Sequence, residues 1–333
     1  MRRFEPGHDK RAESGHTQPG RVGDKETEVK RGFVPACRLA TCALLTMAAW
    51  PAAYAFEGGV SPFPAGSSSE YIAAQPPMAG LFAVEQFNYS SSNGLYDNNG
   101  NKLPVPFKSS AFSATTRILA SYGVEWMGAK VYSQLVLPVV SLHTEVAGHS
   151  ETHNGLSNVT VGPFMLRWDI APHTNITSGL DIALETGSYS PARPSVAVGY
   201  TSWQPVLAMR HNNPDGLDLG ISNRLLINER NSTTNYRSGT AYVADFIGGW
   251  NVGKWKFGVT GAYLNQFTDD SQNGIEITGN RARSFAMGPT IAYNGGAFNI
   301  NMNYQRGLYA ANTAKSDAIW LNVSIPLWVG GSH

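Results

Sequence analysis

From residue 79 onward the chain alternates apolar and polar residues in runs of about ten, joined in turn by long polar stretches and tight turns. Alternation at period two sends successive side chains to opposite faces of a strand. Strands of this length, with connections alternating between long and short, are the pattern of a transmembrane β-barrel. Its short turns face the periplasm and its long loops face outside. One pattern therefore constrains compartment, fold and topology together.

Composition agrees. Only 15% of the 333 residues are charged, against about a quarter in an average soluble chain. No uninterrupted apolar run of about 18 residues exists, which argues against helical spans. The 35 glycines and the recurring Gly/Asn/Asp punctuation suit many short strands. A net charge of +1 offers no concentration of Lys and Arg for nucleic acid, and that class is set aside.

Both cysteines, Cys37 and Cys42, fall in an N-terminal segment built like a secretory signal. Lys30, Arg31 and Arg38 form its basic region, Leu39 to Trp50 its apolar region, and Ala53-Tyr54-Ala55 an A-x-A cleavage site. Cleavage after Ala55 leaves a mature chain that begins at Phe56 and has no cysteine. A lipoprotein signal needs its apolar stretch before the cysteine, whereas here most of it follows Cys42. Residues 1–28 are polar and too long for a basic region, so they are expected to be a mis-called extension, with the signal at 29–55. The other reading is a cytoplasmic tail lost with the signal.

Twelve candidate strands follow, near 79–90, 111–122, 129–140, 157–168, 174–186, 201–211, 216–228, 240–251, 255–267, 282–294, 297–309 and 317–328. Connections after the odd-numbered strands read as long loops, such as Ser91 to Ser110, Ser141 to Leu156 and Thr268 to Asn280. The others read as turns, such as Asn212 to Gly216 and Asn294-Gly295-Gly296. An even count places both ends of the barrel on the periplasmic side.

The faces also favour a barrel over a soluble sandwich. Phe298, Ile300, Met302 and Tyr304 point one way, while Asn299, Asn301, Asn303 and Gln305 point the other. Four amides in a row would demand partners in a dry core but suit a wet lumen. Tyr242, Phe246 and Trp250 face outward with Asp245 inward, and Trp255, Phe257 and Tyr263 outward with Lys256 inward. Near the end, Trp328 falls on the opposite register from Ile325 and Leu327, so either a local bulge turns it to the lipid side or the short tail that follows it is tolerated.

Several short motifs run in order along the mature chain. They are Glu57-Gly58-Gly59-Val60-Ser61-Pro62-Phe63-Pro64-Ala65-Gly66, Asp97-Asn98-Asn99-Gly100-Asn101, Val159-Thr160-Val161-Gly162-Pro163 and Thr186-Gly187-Ser188-Tyr189, followed by Tyr236-Arg237-Ser238-Gly239, Thr268-Asp269-Asp270, Gly279-Asn280-Arg281 and Tyr304-Gln305-Arg306. In these the chain resembles the phenol meta-pathway degradation protein family, a group of SphA-like outer-membrane transporters. The resemblance implies a link to the breakdown of aromatic compounds and their passage across the outer membrane. It carries no catalytic residues. Where that family often reads Pro-Thr-Gly-Ser-Tyr-Asp, this chain has Glu185 in place of the proline and Ser190 in place of the aspartate.

The inward-facing candidates are Arg117, Lys130, Asp181, Glu185, Arg210, Asp218, Arg224, Asp245 and Lys256, with Asn299, Asn301, Asn303 and Gln305 among them. Either the charges neutralise one another and fill a narrow barrel, or they line a polar conduit. The absence of a ring of one sign argues against strong ion selectivity. Residues 56–78, rich in proline, are either a periplasmic segment or a lumenal plug that packs Phe56, Phe63 and Tyr71 inside. His143, Glu145, His149, Glu151 and His153 read as a solvated external loop rather than a metal site. The mature chain's histidines all lie in or beside loops, and Gly187-Ser188-Tyr189 lacks the nucleophile elbow, so no enzyme, metal or cofactor is expected.

The expectation is thus an all-β, up-and-down transmembrane barrel over 79–333 in the outer membrane of a Gram-negative cell. Its partners are membrane lipid and small hydrophobic or aromatic solutes, which it takes up passively. The alternative is a barrel with a closed lumen whose loops bind a surface ligand.

Overall fold

The computed structural model describes residues 55–330. The expected extension at 1–28 and the signal, apart from Ala55, lie outside the described residues. In chain order the strands are β1 (Gly80–Tyr96), β2 (Phe107–Trp126), β3 (Ala129–Val146), β4 (His149–Leu156), β5 (Thr160–Ala171), β6 (Thr174–Ala183), β7 (Ser202–Asn212), β8 (Leu217–Asn228), β9 (Tyr236–Arg237), β10 (Ala241–Val252), β11 (Trp255–Gln266), β12 (Asp270–Gln272), β13 (Ile275–Ile277), β14 (Arg283–Asn294), β15 (Asn299–Ala311) and β16 (Thr313–Val329).

All but β4, β9, β12 and β13 form a closed antiparallel barrel of 12 strands, in which each strand pairs with the next and β1 closes on β16. Closure removes every sheet edge, so the backbone is satisfied without water. Gly80 pairs with Val329, which puts both ends of the barrel at the end with the short turns. One of these turns, Met127-Gly128, has φ of 49° and 72°, the paired positive values that match the twist of a two-residue hairpin.

At the other end the connections carry structure of their own. β9, β12 and β13 form a small separate sheet. The stretch expected as a loop from Ser141 to Leu156 is instead the continuation of β3 and its hairpin partner β4. Its histidines and carboxylates lie along that hairpin, with Nδ1 of His143 2.9 Å from the Thr152 hydroxyl. The connection after the eleventh candidate strand, expected to be long, is a turn at Asn312 (φ 49°). β14 keeps pairing with β15 as far as Ala311, and β1 with β16 back to Thr313, so neighbouring strands hold these polar residues extended.

The two faces differ as the alternation requires. In β15, Met302 is 49% exposed on the outer face, whereas Asn301 and Asn303 are each 1% exposed. Trp126, Trp250, Trp255 and Trp328 stand out on the surface close to the short turns, where interfacial aromatics belong. Trp328 reaches the outer face, 62% exposed, because β16 bulges between Pro326 and Trp328, which pair with the consecutive residues Phe82 and Leu81.

Candidate functional site: the lumen and the segment that fills it

Residues 55–79 precede β1 and contain little repetitive structure, with short turns at Glu57–Gly59 and Ser69–Tyr71. Their backbone carbonyls accept from Gln86 of β1, Tyr132 of β3, Arg167 of β5 and Gln204 of β7. The side chain of Gln75 accepts from Thr177 of β6, and Asp245 of β10 takes the N–H groups of Gly66 and Ser68 at 2.8 and 3.0 Å. Lys256 of β11, Thr290 of β14 and Gln305 of β15 donate to the same segment. A segment bonded to strands all around a closed barrel occupies its lumen. The direction is also clear. Phe56 lies beside β12 at the long-loop end, and Pro76 beside Tyr132 near the short-turn end.

Glu70 is the segment's principal anchor. Arg210 donates two hydrogen bonds to Asp218, at 2.8 and 2.6 Å, and reaches Glu70 at 3.4 Å. Lys256 bridges Asp218, at 2.7 Å, and Glu70. All four side chains are buried. Charges this far from water persist only when paired and hydrogen-bonded, and Thr290 together with the Arg210 bonds to backbone carbonyls meets that condition. A second group joins Arg224 to Asp181 at 2.8 Å, Asp181 to Gln134 at 2.6 Å, and Gln134 to Nε of Arg117 at 2.6 Å. The Arg224 guanidinium also lies 4.2 Å from the centre of the Phe63 ring.

Between the segment and the wall formed by β1, β2, β3, β5, β6, β7 and β8, with Trp320 of β16, lies a cavity of about 310 Å³. Its lining mixes apolar groups, among them Phe63, Val136, Val206 and Trp320, with amides and hydroxyls such as Asn88, Ser113 and Thr115. Two donors stand out. Arg117 makes no ion pair among the described residues, and the buried indole N–H of Trp320 has no hydrogen-bond partner among them. A second cavity of about 260 Å³ lies toward the short turns, and Tyr71, Gln75 and Arg117 line both. The segment therefore partitions the lumen at Tyr71.

Of the expected inward residues, Arg117, Asp181, Arg210, Asp218, Arg224, Asp245, Lys256, Asn301, Asn303 and Gln305 lie in these clusters or contacts. Lys130 sits at the rim near the Met127-Gly128 turn, 2.6 Å from Asp169. Asn299 borders the smaller cavity. Glu185 does not belong to the set. β6 ends at Ala183, so Glu185 is an exposed loop residue, carried past the last residue whose orientation the pleat controls. Sequence reading missed Glu70, although a signal was present: Glu57 and Glu70 are the only charged residues between 56 and 78.

A family profile described as "Putative MetA-pathway of phenol degradation" matches residues 92–323. The chain belongs to this family. Among solved structures it is similar to an outer-membrane channel from Pseudomonas putida F1, with a TM-score of 0.68 at 15% identity, covering 76% of this chain and 97% of that one. It is also similar to the translocator domain of the autotransporter NalP from Neisseria meningitidis, with a TM-score of 0.45 at 11% identity and coverage of 86% and 97%. A FadL homologue from Pseudomonas aeruginosa matches with a TM-score of 0.39 at 12% identity, covering 82% and 97%. No curated protein matches the sequence. The fold is that of outer-membrane β-barrels.

Most of the motifs that carry the family resemblance, distant in sequence, meet along the lumenal segment. Tyr189 donates to Glu57, the Glu57 N–H to Ser238, and Gly239, Asn280 and Tyr236 all donate to Asp270. Gln305 donates to the Gly66 carbonyl. Glu185, one of the two departures from the family pattern, takes no part in this cluster.

Proposed function

We propose that the protein is an outer-membrane channel for passive uptake of small hydrophobic and aromatic compounds, exported through a cleavable signal. The central cavity carries this reading. Its volume lies at the lower end of the roughly 300–1,000 Å³ usual for small-molecule sites, and its walls combine apolar surface with a few placed donors. Phe63, Tyr71 and Trp320 offer ring faces and edges to a flat solute, and Arg117, without an ion pair among the described residues, offers its cation to any acidic substituent on it. The segment that divides this cavity from the periplasmic side is the gate that such a solute must pass.

The test is reconstitution into liposomes with a panel of neutral aromatic, carboxylated aromatic and aliphatic solutes of similar size. Aromatic solutes should enter faster than into empty liposomes. If none does, the transport reading fails and a closed barrel that binds through its loops takes its place.

A further inference from the structure

The outer end of the lumenal segment is buried in a pocket with two carboxylates and, among the described residues, no cation paired with them. Phe56, 3% exposed, packs with Leu226, Val243 and Leu264 of the barrel wall, and its nitrogen lies 3.0 Å from Oδ2 of Asp270. Asp270 is fully buried. Its other donors are neutral: the Tyr236 hydroxyl, the Gly239 N–H and the Gln266 amide at 2.6 Å each, and the Asn280 amide at 2.9 Å. Glu57 beside it also draws on neutral donors, Tyr189 at 2.9 Å, Asn231 at 2.7 Å and Thr234. Among the described residues neither acid has an ion pair. Isolated buried carboxylates are costly, and burial pushes the Asp270 carboxyl above the usual range.

A second observation concerns the backbone. Phe56 has φ of 63°, a left-handed value that is an outlier for a bulky side chain. That cost requires a preceding peptide unit, because φ describes rotation relative to it. A residue whose nitrogen is the chain terminus has none. The bond preceding Phe56 follows Ala53-Tyr54-Ala55, the small-x-small pattern of signal cleavage.

We propose that cleavage of the Ala55–Phe56 bond creates an α-ammonium on Phe56 that forms a buried ion pair with Asp270 and so locks the lumenal segment in the barrel. Hydrolysis by a signal-type peptidase adds water across the C–N bond. The Ala55 carbonyl carbon takes the hydroxyl and ends as carboxylate, and the two protons released leave the Phe56 nitrogen as –NH₃⁺. The new cation stands where the amide N–H already stands, supplies the charge that the pocket lacks, and relieves the strain at φ. The inference rests on the proposed export through a cleaved signal and is independent of what the channel carries.

The experiment uses the full protein isolated from outer membranes. Its first residue is read by N-terminal sequencing and should be Phe56. The folded protein in detergent and the urea-unfolded protein are then treated with an amine-acetylating ester, and labelling of the α-amine is followed by mass spectrometry over a range of pH. Only the uncharged amine reacts, so each unit by which the pair raises its pKa slows labelling about tenfold. The titratable groups facing it are Asp270, Glu57, Tyr189, Tyr200 and Tyr236. Labelling in the folded protein should be at least about tenfold slower, with its onset moved to higher pH. Asp270→Asn, with the barrel still resistant to unfolding by detergent, should bring the onset back down. A first residue other than Phe56, an onset at the same pH in folded and unfolded protein, or an onset unmoved by Asp270→Asn would overturn the proposal. If Asp270→Asn does not fold, the comparison of folded with unfolded wild-type protein decides.

Discussion

Arg210 of β7 grips Asp218 of β8 through two parallel hydrogen bonds of 2.8 and 2.6 Å, and Glu70 reaches the same guanidinium from the lumenal segment. The wall thus carries its own ion pair, and the segment docks onto it with a third charge. Lys256 makes the docking close to neutral, since two cations then face two carboxylates. Seating the segment and neutralising the lumen are one event.

Glu70→Gln separates the two contributions. The wall keeps Arg210, Asp218 and Lys256, but one cation loses its counter-charge in a buried site, a change that typically costs about 3–5 kcal/mol. The loss falls on the seating of the segment and not on strand pairing. Hydrogen exchange across residues 66–76 should rise steeply and conductance in planar bilayers should appear, while resistance of the barrel to heat in detergent changes little. Unchanged exchange in 66–76 would show that Glu70 is not the anchor.

Deleting residues 57–74 should open the lumen and leave it positively charged. Arg117, Arg210, Arg224 and Lys256 would remain against Asp181, Asp218 and Asp245. Reversal potentials in a salt gradient should then show a modest preference for anions, with solute permeation well above that of the full chain. Unchanged liposome permeability would mean that the segment is no barrier.

The strands were legible because each faces two solvents, lipid and lumen, and so keeps period two between bulges; β15, with Met302 outside and Asn301 and Asn303 inside, is the clearest case. The lumenal segment faces only the barrel interior, so it has no period to read. Its contacts are single pairs far apart in sequence, such as Glu70 with Lys256, 186 positions away. Inward charges could be named, yet the cluster of Arg210, Asp218 and Lys256 is neutral only with the missing carboxylate of Glu70. The long-loop end was misjudged where polar composition stood in for loop, as at Asn312 and in the β3–β4 hairpin, because strand pairing beyond the membrane does not need apolar residues.

Arg117 should discriminate between solutes. Its Nε is committed to Gln134 but it makes no ion pair among the described residues, and it borders both cavities. Arg117→Met removes the charge and keeps much of the bulk. Uptake of benzoate into proteoliposomes should fall about tenfold, the effect of losing roughly 1.4 kcal/mol, with benzyl alcohol little affected. An equal fall for both would point to a collapsed cavity.

The external loops should loosen in acid. Asp269, bonded to Arg281 at 2.9 and 3.0 Å, has its carboxyl held below the ordinary value by that guanidinium. Asp97 is held low first by the Asn101 N–H, with Asn99 also donating to it. Carboxyls depressed in the folded state add stability that is complete above their unfolded value, about 3.9, and is lost as pH falls through the lower folded value. Hydrogen exchange corrected for intrinsic rate should therefore rise in 97–101 and 269–281 below about pH 4, with the strands still protected. Loops equally protected on both sides of that pH would contradict it.

Gly66 should be the glycine that the lumenal segment can least replace. It sits at φ +94°, and a Cβ there would run into the side chain of Gln305, which itself donates to the Gly66 carbonyl and the Ser69 hydroxyl. Its N–H is already committed to Asp245 at 2.8 Å, so the backbone cannot turn away without leaving that buried carboxylate short of a donor. Gly58, at φ +65°, has open space where its Cβ would lie. Gly58→Ala thus meets only the left-handed penalty of roughly 1–2 kcal/mol, whereas Gly66→Ala adds a collision and threatens two hydrogen bonds. Exchange across residues 60–75 should rise at least about tenfold more in Gly66→Ala than in Gly58→Ala, a gap of about 1.4 kcal/mol. Equal exchange in the two variants would mean that the contact with β15 does not hold the segment in place.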